Sequence, residues 1–272
     1  MRLVCAIVLC LCCVPLSQGQ SSVQAKHANL ELLSTQTRVG SEELLLGVHF
    51  TLEKGWHIYW INPGDSGQPP SFNWILPAGA AAGEIQWPRP FRMQNSPTIA
   101  DYGYHDEVLL MVPVHWSALP QAGSKSEIAL DAKWLICREV CLADHTRLTL
   151  TLPISSGNKT NRASRLFAQA KALLPRPWPR QWKATAESRK DDFLLTLTTR
   201  KPLVNVEFFP LDPGLIDNAA KQRAEKTSTG AKLVLKKSDM LLKPVSELRG
   251  VLVIAGHAYQ LRAPVVSQVA LK

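Results

Sequence analysis

Beyond residue 19 the chain holds only two cysteines, Cys137 and Cys141, which excludes a fold stapled by several disulfides. The other four, Cys5, Cys10, Cys12 and Cys13, lie in the amino-terminal segment. The paired CxxC or Cys-His spacings of structural zinc sites are missing. So are a glycine-rich dinucleotide turn and a phosphate-binding loop. No apolar run after residue 19 is long enough to make a membrane-spanning helix. The seven histidines are scattered without pairing, which reads as surface or packing roles rather than a ligand set. No cofactor is expected from this inventory. Nor is nucleic acid expected, because no binding motif accompanies the positive charge.

What is present begins with Arg2, an apolar run over residues 3–16, and Ser17-Gln18-Gly19-Gln20. This order of basic, apolar and small residues reads as a secretory signal peptide over residues 1–19, too short to anchor in a bilayer. Cleavage after Gly19 would leave a soluble exported chain in an oxidising compartment, where disulfides persist. The formal charge of +9 becomes +8 without Arg2 (9 − 1) and is spread along the chain, as on a solvated surface. Weak attraction to anionic lipid headgroups is the alternative reading of that charge. A length of 272 residues with 46% hydrophobic content suits two domains with cores of their own.

Short runs rich in β-branched and aromatic residues, separated by Pro, Gly, Asn and Asp, predict strands over 44–52, 57–61, 107–116, 127–136 and 146–154. Leu148-Thr149-Leu150-Thr151-Leu152 alternates at period two, as a half-buried strand does. The eight tryptophans, Trp56, Trp60, Trp74, Trp87 and Trp116 among them, are expected in a sandwich core. Residues 162–174 change period: Leu166, Ala170 and Leu173-Leu174 fall at helical spacing until Pro175, Pro177 and Pro179 end the helix. Further strands are predicted over 193–199, 203–209, 231–237, 250–254 and 258–263, with a short helix over 217–226. The expected fold class is all-β: two immunoglobulin-like β-sandwich domains joined by a short helical connector. The expected segments are a signal peptide over 1–19, a first domain over 20–157, a Pro-rich connector over 158–182 and a second domain over 183–272.

Chemistry concentrates at Cys137-Arg138-Glu139-Val140-Cys141. A disulfide needs Cα atoms about 4.4–6.8 Å apart, whereas four residues of straight strand span about 13 Å. With strands on both flanks, the simplest arrangement is a tight turn, Arg138-Glu139-Val140, with the cysteines facing each other across the hairpin ends. So small a ring removes little chain entropy and is a poor staple, which favours a reducible bond. Arg138 favours thiolate and Glu139 opposes it, while Lys133, His145 and Arg147 add positive potential nearby. Three readings stay open here: a redox couple, a quiet structural disulfide, and a Cu(I) clip formed by Cys137 and Cys141, with Met93, Met111, His105 or His145 as helpers.

Two local matches carry less weight. Gly64-Asp65-Ser66-Gly67 matches the tetrapeptide around the trypsin-type nucleophile. It lies too near the start of the chain for that fold, so Asn62-Pro63-Gly64-Asp65 reads as a turn between strands. Asn158-Lys159-Thr160 fits a glycosylation acceptor.

Several segments together resemble a known family. They are Gly55-Trp56-His57-Ile58-Tyr59-Trp60, Pro63-Gly64-Asp65-Ser66-Gly67-Gln68-Pro69-Pro70, Trp87-Pro88, Tyr102-Gly103-Tyr104 followed by Val108, and Cys137-Arg138-Glu139-Val140-Cys141-Leu142. This set is similar to the amino-terminal periplasmic domain of DsbD/ScsB thiol:disulfide interchange proteins. Phe208-Phe209-Pro210 and Gly250-Val251-Leu252-Val253 look like the second β-domain of the ScsB branch. The resemblance implies an immunoglobulin-like sandwich whose Cys137/Cys141 pair exchanges electrons. A membrane-embedded thiol donor would supply them and periplasmic thioredoxin-like proteins would receive them. It also implies a cap loop at Asp101, Tyr102, Gly103 and Tyr104, with Tyr102 shielding the sulfurs and Asp101 raising the thiol pKa. The family's cysteines are spaced more widely in the DsbD branch. Its usual membrane and thioredoxin-like domains have no counterpart in these residues, so the electron donor is expected to be a separate protein.

Overall fold

The alternation of apolar and polar residues sets the architecture. In a computed structural model, which describes residues 20–119, 121–157 and 162–267, the chain is nearly all strand. The first eleven strands are β1 (Ser22–Ala25), β2 (Ala28–Ser34), β3 (Glu43–Leu52), β4 (His57–Gly64), β5 (Ser71–Ile75), β6 (Ala80–Ala82), β7 (Phe91–Ser96), β8 (Ile99–His105), β9 (Glu107–Trp116), β10 (Lys125–Cys137) and β11 (Cys141–Pro153). One helix follows, α1 (Ser164–Ala172). The last seven strands are β12 (Lys183–Ser188), β13 (Asp192–Thr198), β14 (Val206–Pro210), β15 (Arg223–Thr227), β16 (Gly230–Lys236), β17 (Glu247–Ile254) and β18 (His257–Ser267). The signal-peptide segment and Asn158-Lys159-Thr160 lie outside the described residues.

The amino-terminal half forms two layers. One sheet has the order β1-β2-β3-β9-β6, and the other β11-β10-β4-β8-β7, with β5 paired to β10. Leu30, Val48, Phe50 and Leu110 of the first layer meet Ile58, Trp60, Leu130, Trp134 and Ile136 of the second in one buried cluster. The tryptophans Trp56, Trp60, Trp116 and Trp134 are all buried, and Trp74 and Trp87 pack against the same cores. The helix lies on the outer face of the first layer. There Phe167 and Ala170, three apart on one helical face, cover Leu109 and Met111 of β9.

The carboxy-terminal half is a second two-layer unit. Its strand order is β14-β17-β18-β12-β13-β16-β15. The long strand β18 pairs antiparallel with β17 and then parallel with β12, so it passes from one layer to the other. Phe208, Leu252 and Leu261 of one layer pack on Phe193, Leu195 and Leu233 of the other. The two halves touch directly: Phe209, Val251, Val253 and Ala258 join the first unit's core cluster.

Three local expectations are corrected. No helix forms over 217–226. Asp217 Oδ1 accepts the amides of Ala219 and Ala220, which fixes a turn, and Arg223–Thr227 then pairs with β16. The strand predicted over 57–61 runs on to Gly64 through an irregular stretch of the β4–β8 pairing, so Asn62 and Pro63 belong to a strand rather than a turn. The segment Asp101-Tyr102-Gly103-Tyr104 is not a loop. It lies in β8, between β4 and β7. Gly103 reads as loop punctuation in sequence, but a Cβ there would stand 2.0 Å from the Ile58 carbonyl oxygen, so close strand approach is what demands glycine.

Candidate functional site

The cysteines occupy the tip of the long β10–β11 hairpin. Its register runs from Lys125 opposite Pro153 to Cys137 opposite Cys141. Residues 138–140 make the turn, closed by the Arg138 amide donating to the Val140 carbonyl at 3.1 Å. Cys137 and Cys141 are joined by a disulfide, with Cα atoms 4.1 Å apart. The two sulfur-bearing residues differ in access: Cys137 is 1% exposed, whereas Cys141 is exposed at the tip.

Strand periodicity decides which neighbours reach the disulfide. Cys137 also pairs with His57 of β4, and His57 pairs with His105 of β8. Partners in register share a face and alternate residues change face. Cys137, His57, Tyr59, Asp101, Gly103 and His105 therefore stand on one side of the sheet. Ile58, Trp60, Tyr102, Tyr104 and Ile136 stand on the other, inside the core cluster. This corrects the expectation that Tyr102 caps the sulfurs. Its hydroxyl donates instead to Asn218 Oδ1 at 2.9 Å, and that of Tyr104 donates to the Pro88 carbonyl at 2.8 Å.

The aromatic ring at the sulfur is Tyr59. A disulfide sulfur carries no proton, so the Tyr59 hydroxyl points its hydrogen at Cys141 Sγ, 3.7 Å away. Burial pushes the Tyr59 phenol above its ordinary pKa, with hydrogen bonding to Ser66 acting against that rise. The loop over 65–68 lies on the ring: a Cβ added to Gly67 would come within 2.1 Å of it. Asp101 anchors this loop, accepting from the Ser66 amide at 2.9 Å and the Ser66 hydroxyl at 2.7 Å. Asp65 completes the anchor by accepting from the Ala100 amide at 2.8 Å and from Asn218 Nδ2 at 2.7 Å. Asp101, Ser66, Tyr59 and Cys141 thus form a continuous polar line that ends at sulfur.

His57 is the other neighbour. Its ring meets Tyr59 edge-on at 5.2 Å, and its Nε2 is buried with no hydrogen-bond partner among the described residues. Burial holds its pKa below the ordinary value, against the raising field of Asp101 and with a further lowering from His105. Arg138 of the turn lies over the Trp56 ring at 5.2 Å.

The suggested copper helpers separate. Met111 is buried in β9 beneath the helix, in the other sheet. His145 sits on β11 opposite Lys133. Met93 and His105 remain on the disulfide's side of the sheet, Met93 opposite Asp101. Sequence reasoning passed over His57, Tyr59 and Ser66 as individual site residues. The signal that finds them is register: once β4 is aligned with the hairpin tip, period two brings His57 and Tyr59 to the cysteine face.

No curated protein matches the sequence. Among solved structures, the chain is similar to the N-terminal periplasmic domain of ScsB from Proteus mirabilis, at 16% identity and a TM-score of 0.69, covering 90% of this chain and 97% of that one. The periplasmic chaperone SfaE, at 10% identity and a TM-score of 0.24, covers 87% of this chain and 100% of that one, and carries no argument about fold. Among the described residues no helix is long and apolar enough to cross a membrane. The profile of the family described as thiol:disulfide interchange protein DsbD, N-terminal, matches residues 30–153, which hold both cysteines, His57, Tyr59, Ser66 and Asp101, and over these residues the chain is similar to that amino-terminal domain.

Proposed function

We propose that the Cys137/Cys141 pair relays two electrons in the periplasm, from a membrane-embedded thiol donor to thioredoxin-like proteins. The observation that carries this reading is the asymmetry of the disulfide, one cysteine exposed at a hairpin tip and its partner buried beneath it. Exchange requires one sulfur that a partner can reach and a second that resolves the mixed disulfide from within. Cys141 fits the first role and Cys137 the second. In the forward direction the Cys141 thiolate attacks the partner's disulfide, and a partner thiolate leaves. Cys137 then attacks Cys141 Sγ, restoring the intramolecular bond and releasing the partner as a dithiol. The match of residues 30–153 to an interchange family supports the chemistry, and the tiny ring between the cysteines argues against a stabilising role.

The test is the reduction potential of the folded protein, set by equilibration against glutathione or dithiothreitol. A value of roughly −120 to −270 mV is expected for an exchange protein, and one below about −300 mV would mark a structural bond and end the proposal. Exchange with a thioredoxin-like protein, abolished by replacing either cysteine with serine, is the second expected result.

A further inference from the structure

We propose that His57 Nε2 takes the proton from the Cys137 thiol as that sulfur resolves the mixed disulfide. The inference rests on the exchange reading and names the group that makes its buried half-reaction possible. Reduced Cys137 is enclosed, and an enclosed thiol resists ionisation although only the thiolate is nucleophilic. Solvent reaches Cys141 at the hairpin tip, but Cys137 is 1% exposed and needs an acceptor from within the protein. His57 stands directly opposite it across the β4–β10 pairing, on the same face. Side chains so paired have Cβ atoms about 4.5–5.5 Å apart, within reach for an imidazole and a thiol.

The imidazole is suited to accept. His57 is 7% exposed, and its Nε2 has no hydrogen-bond partner among the described residues, although a buried polar atom ordinarily finds one. With the ring proton on Nδ1, Nε2 presents a lone pair. Burial keeps the ring neutral near neutral pH, which preserves that lone pair. The charged and titratable groups around it are Asp101 and His105 from β8 and Tyr59 from its own strand, while Arg138 of the turn lies over the adjacent Trp56. His105 is itself held by Asp106 through Nδ1 at 2.6 Å. Asp101 favours the imidazolium that forms during transfer.

In the step, the Cys137 S–H bond breaks and its proton moves to Nε2. The Cys137 Sγ–Cys141 Sγ bond forms as the bond from Cys141 Sγ to the partner sulfur breaks. The electron pair leaves on the partner sulfur, which is protonated by the imidazolium or by water. The cysteine pair is oxidised by two electrons and the partner is reduced by two.

The experiment mixes fully reduced protein with a dipyridyl disulfide and follows release of the two pyridinethiones, the first from attack by Cys141 and the second from resolution by Cys137. In the wild type the second rate constant should fall at acid pH, as His57 is protonated, and level off above that. The plateau should persist up to about pH 8. It should also be slower in deuterium oxide. In His57→Gln the second phase should rise in proportion to hydroxide and be about a hundredfold slower at neutral pH, while the first phase stays unchanged. A merely structural histidine would give no plateau and no isotope effect. A wild-type second phase that itself follows hydroxide, or a His57→Gln profile that matches the wild type, would overturn the proposal. Should the variant fail to fold, the wild-type profile and isotope effect decide alone. The probe needs no protein partner, so this outcome is independent of whether thioredoxin-like proteins are the acceptors.

Discussion

Gly67 is the most informative single position for testing whether the 65–68 loop holds Tyr59 against the disulfide. Its φ is +79°, in the left-handed region, and a Cβ there would lie 2.1 Å from the Tyr59 ring. Gly67→Ala therefore carries two costs: about 1–2 kcal/mol for an alanine in left-handed backbone, and about 1–3 kcal/mol for overpacking. Tyr59 is 1% exposed, its ring faces His57, and its hydroxyl faces Cys141, so it has no free direction in which to retreat. The strain should instead lift the loop, weakening both Ser66–Asp101 hydrogen bonds and releasing the Tyr59 ring that the loop holds against Cys141. Gly123→Ala is the control, because its φ is +87° but nothing lies within 4 Å of the added Cβ. Guanidinium unfolding should place Gly67→Ala below Gly123→Ala by about 1–3 kcal/mol, the overpacking share alone. Reduction by dithiothreitol should be about tenfold faster in Gly67→Ala, since 1.4 kcal/mol of strain released on opening is worth that factor. Equal stability of the two variants, with reduction of Gly67→Ala at the wild-type rate, would refute the view that this loop holds Tyr59 against the disulfide.

Other outcomes follow from the same geometry. Cys137→Ser should accumulate a mixed disulfide through exposed Cys141, whereas Cys141→Ser should not; mass spectrometry after mixing with an oxidised thioredoxin-like protein reads the difference. Tyr102→Phe leaves buried Asn218 Oδ1 without its donor and should lower the unfolding free energy by about 1–3 kcal/mol in urea titration. Phe167→Ala strips the helix of its main buried side chain and should lower stability by about 3–5 kcal/mol in the same measurement. Burial lowers the pKa of His57, so on acidification the unfolded chain takes up a proton near pH 6.5 before the folded protein does. Its contribution to stability is therefore present above that pH and declines below it, by at most about 1.4 kcal/mol per pH unit. His57→Gln should flatten that part of the acid limb, and an identical pH dependence in the variant would disprove the linkage.

How much the sequence revealed tracks how strongly each element depends on its own residues. Strands with a run of apolar residues, such as Glu107–Trp116, are legible because their burial is written in composition. The polar strand β7, Phe-Arg-Met-Gln-Asn-Ser, is not, because tertiary pairing with β8 creates it. The same holds for β8, where Gly103 reads as a break until the Ile58 carbonyl is placed against it. The cysteine hairpin was legible because a spacing of four between two strands admits little but a turn. Its neighbours were not, since His57 and Tyr59 approach the cysteines from 80 residues away in sequence (137 − 57), and only register assigns their face. Ser66, set aside within a protease-like tetrapeptide, holds the loop through Asp101 rather than performing chemistry.

The second β unit bears on the site through one residue more than through its bulk. Asn218 donates to Asp65 and accepts from Tyr102, so a single side chain of the carboxy-terminal half ties the loop over Tyr59 to strand β8. Arg92 of β7 adds to this contact, its guanidinium donating to the carbonyls of Asn218 and Ala219. Asn62 of β4 donates to the Pro210 carbonyl at 2.8 Å on the same boundary. These bonds sit beside an apolar seam in which Phe209 meets Tyr102 edge-on at 5.3 Å. Buried hydrogen bonds next to packed aromatics resist opening together, because separating the halves would expose the seam and strand the polar groups at once. The loop that covers Tyr59 is thus clamped from both sides, by Asp101 within its own unit and by Asn218 across the boundary. The Tyr59 hydroxyl that faces Cys141 is in this way held in place by two separate units rather than by one.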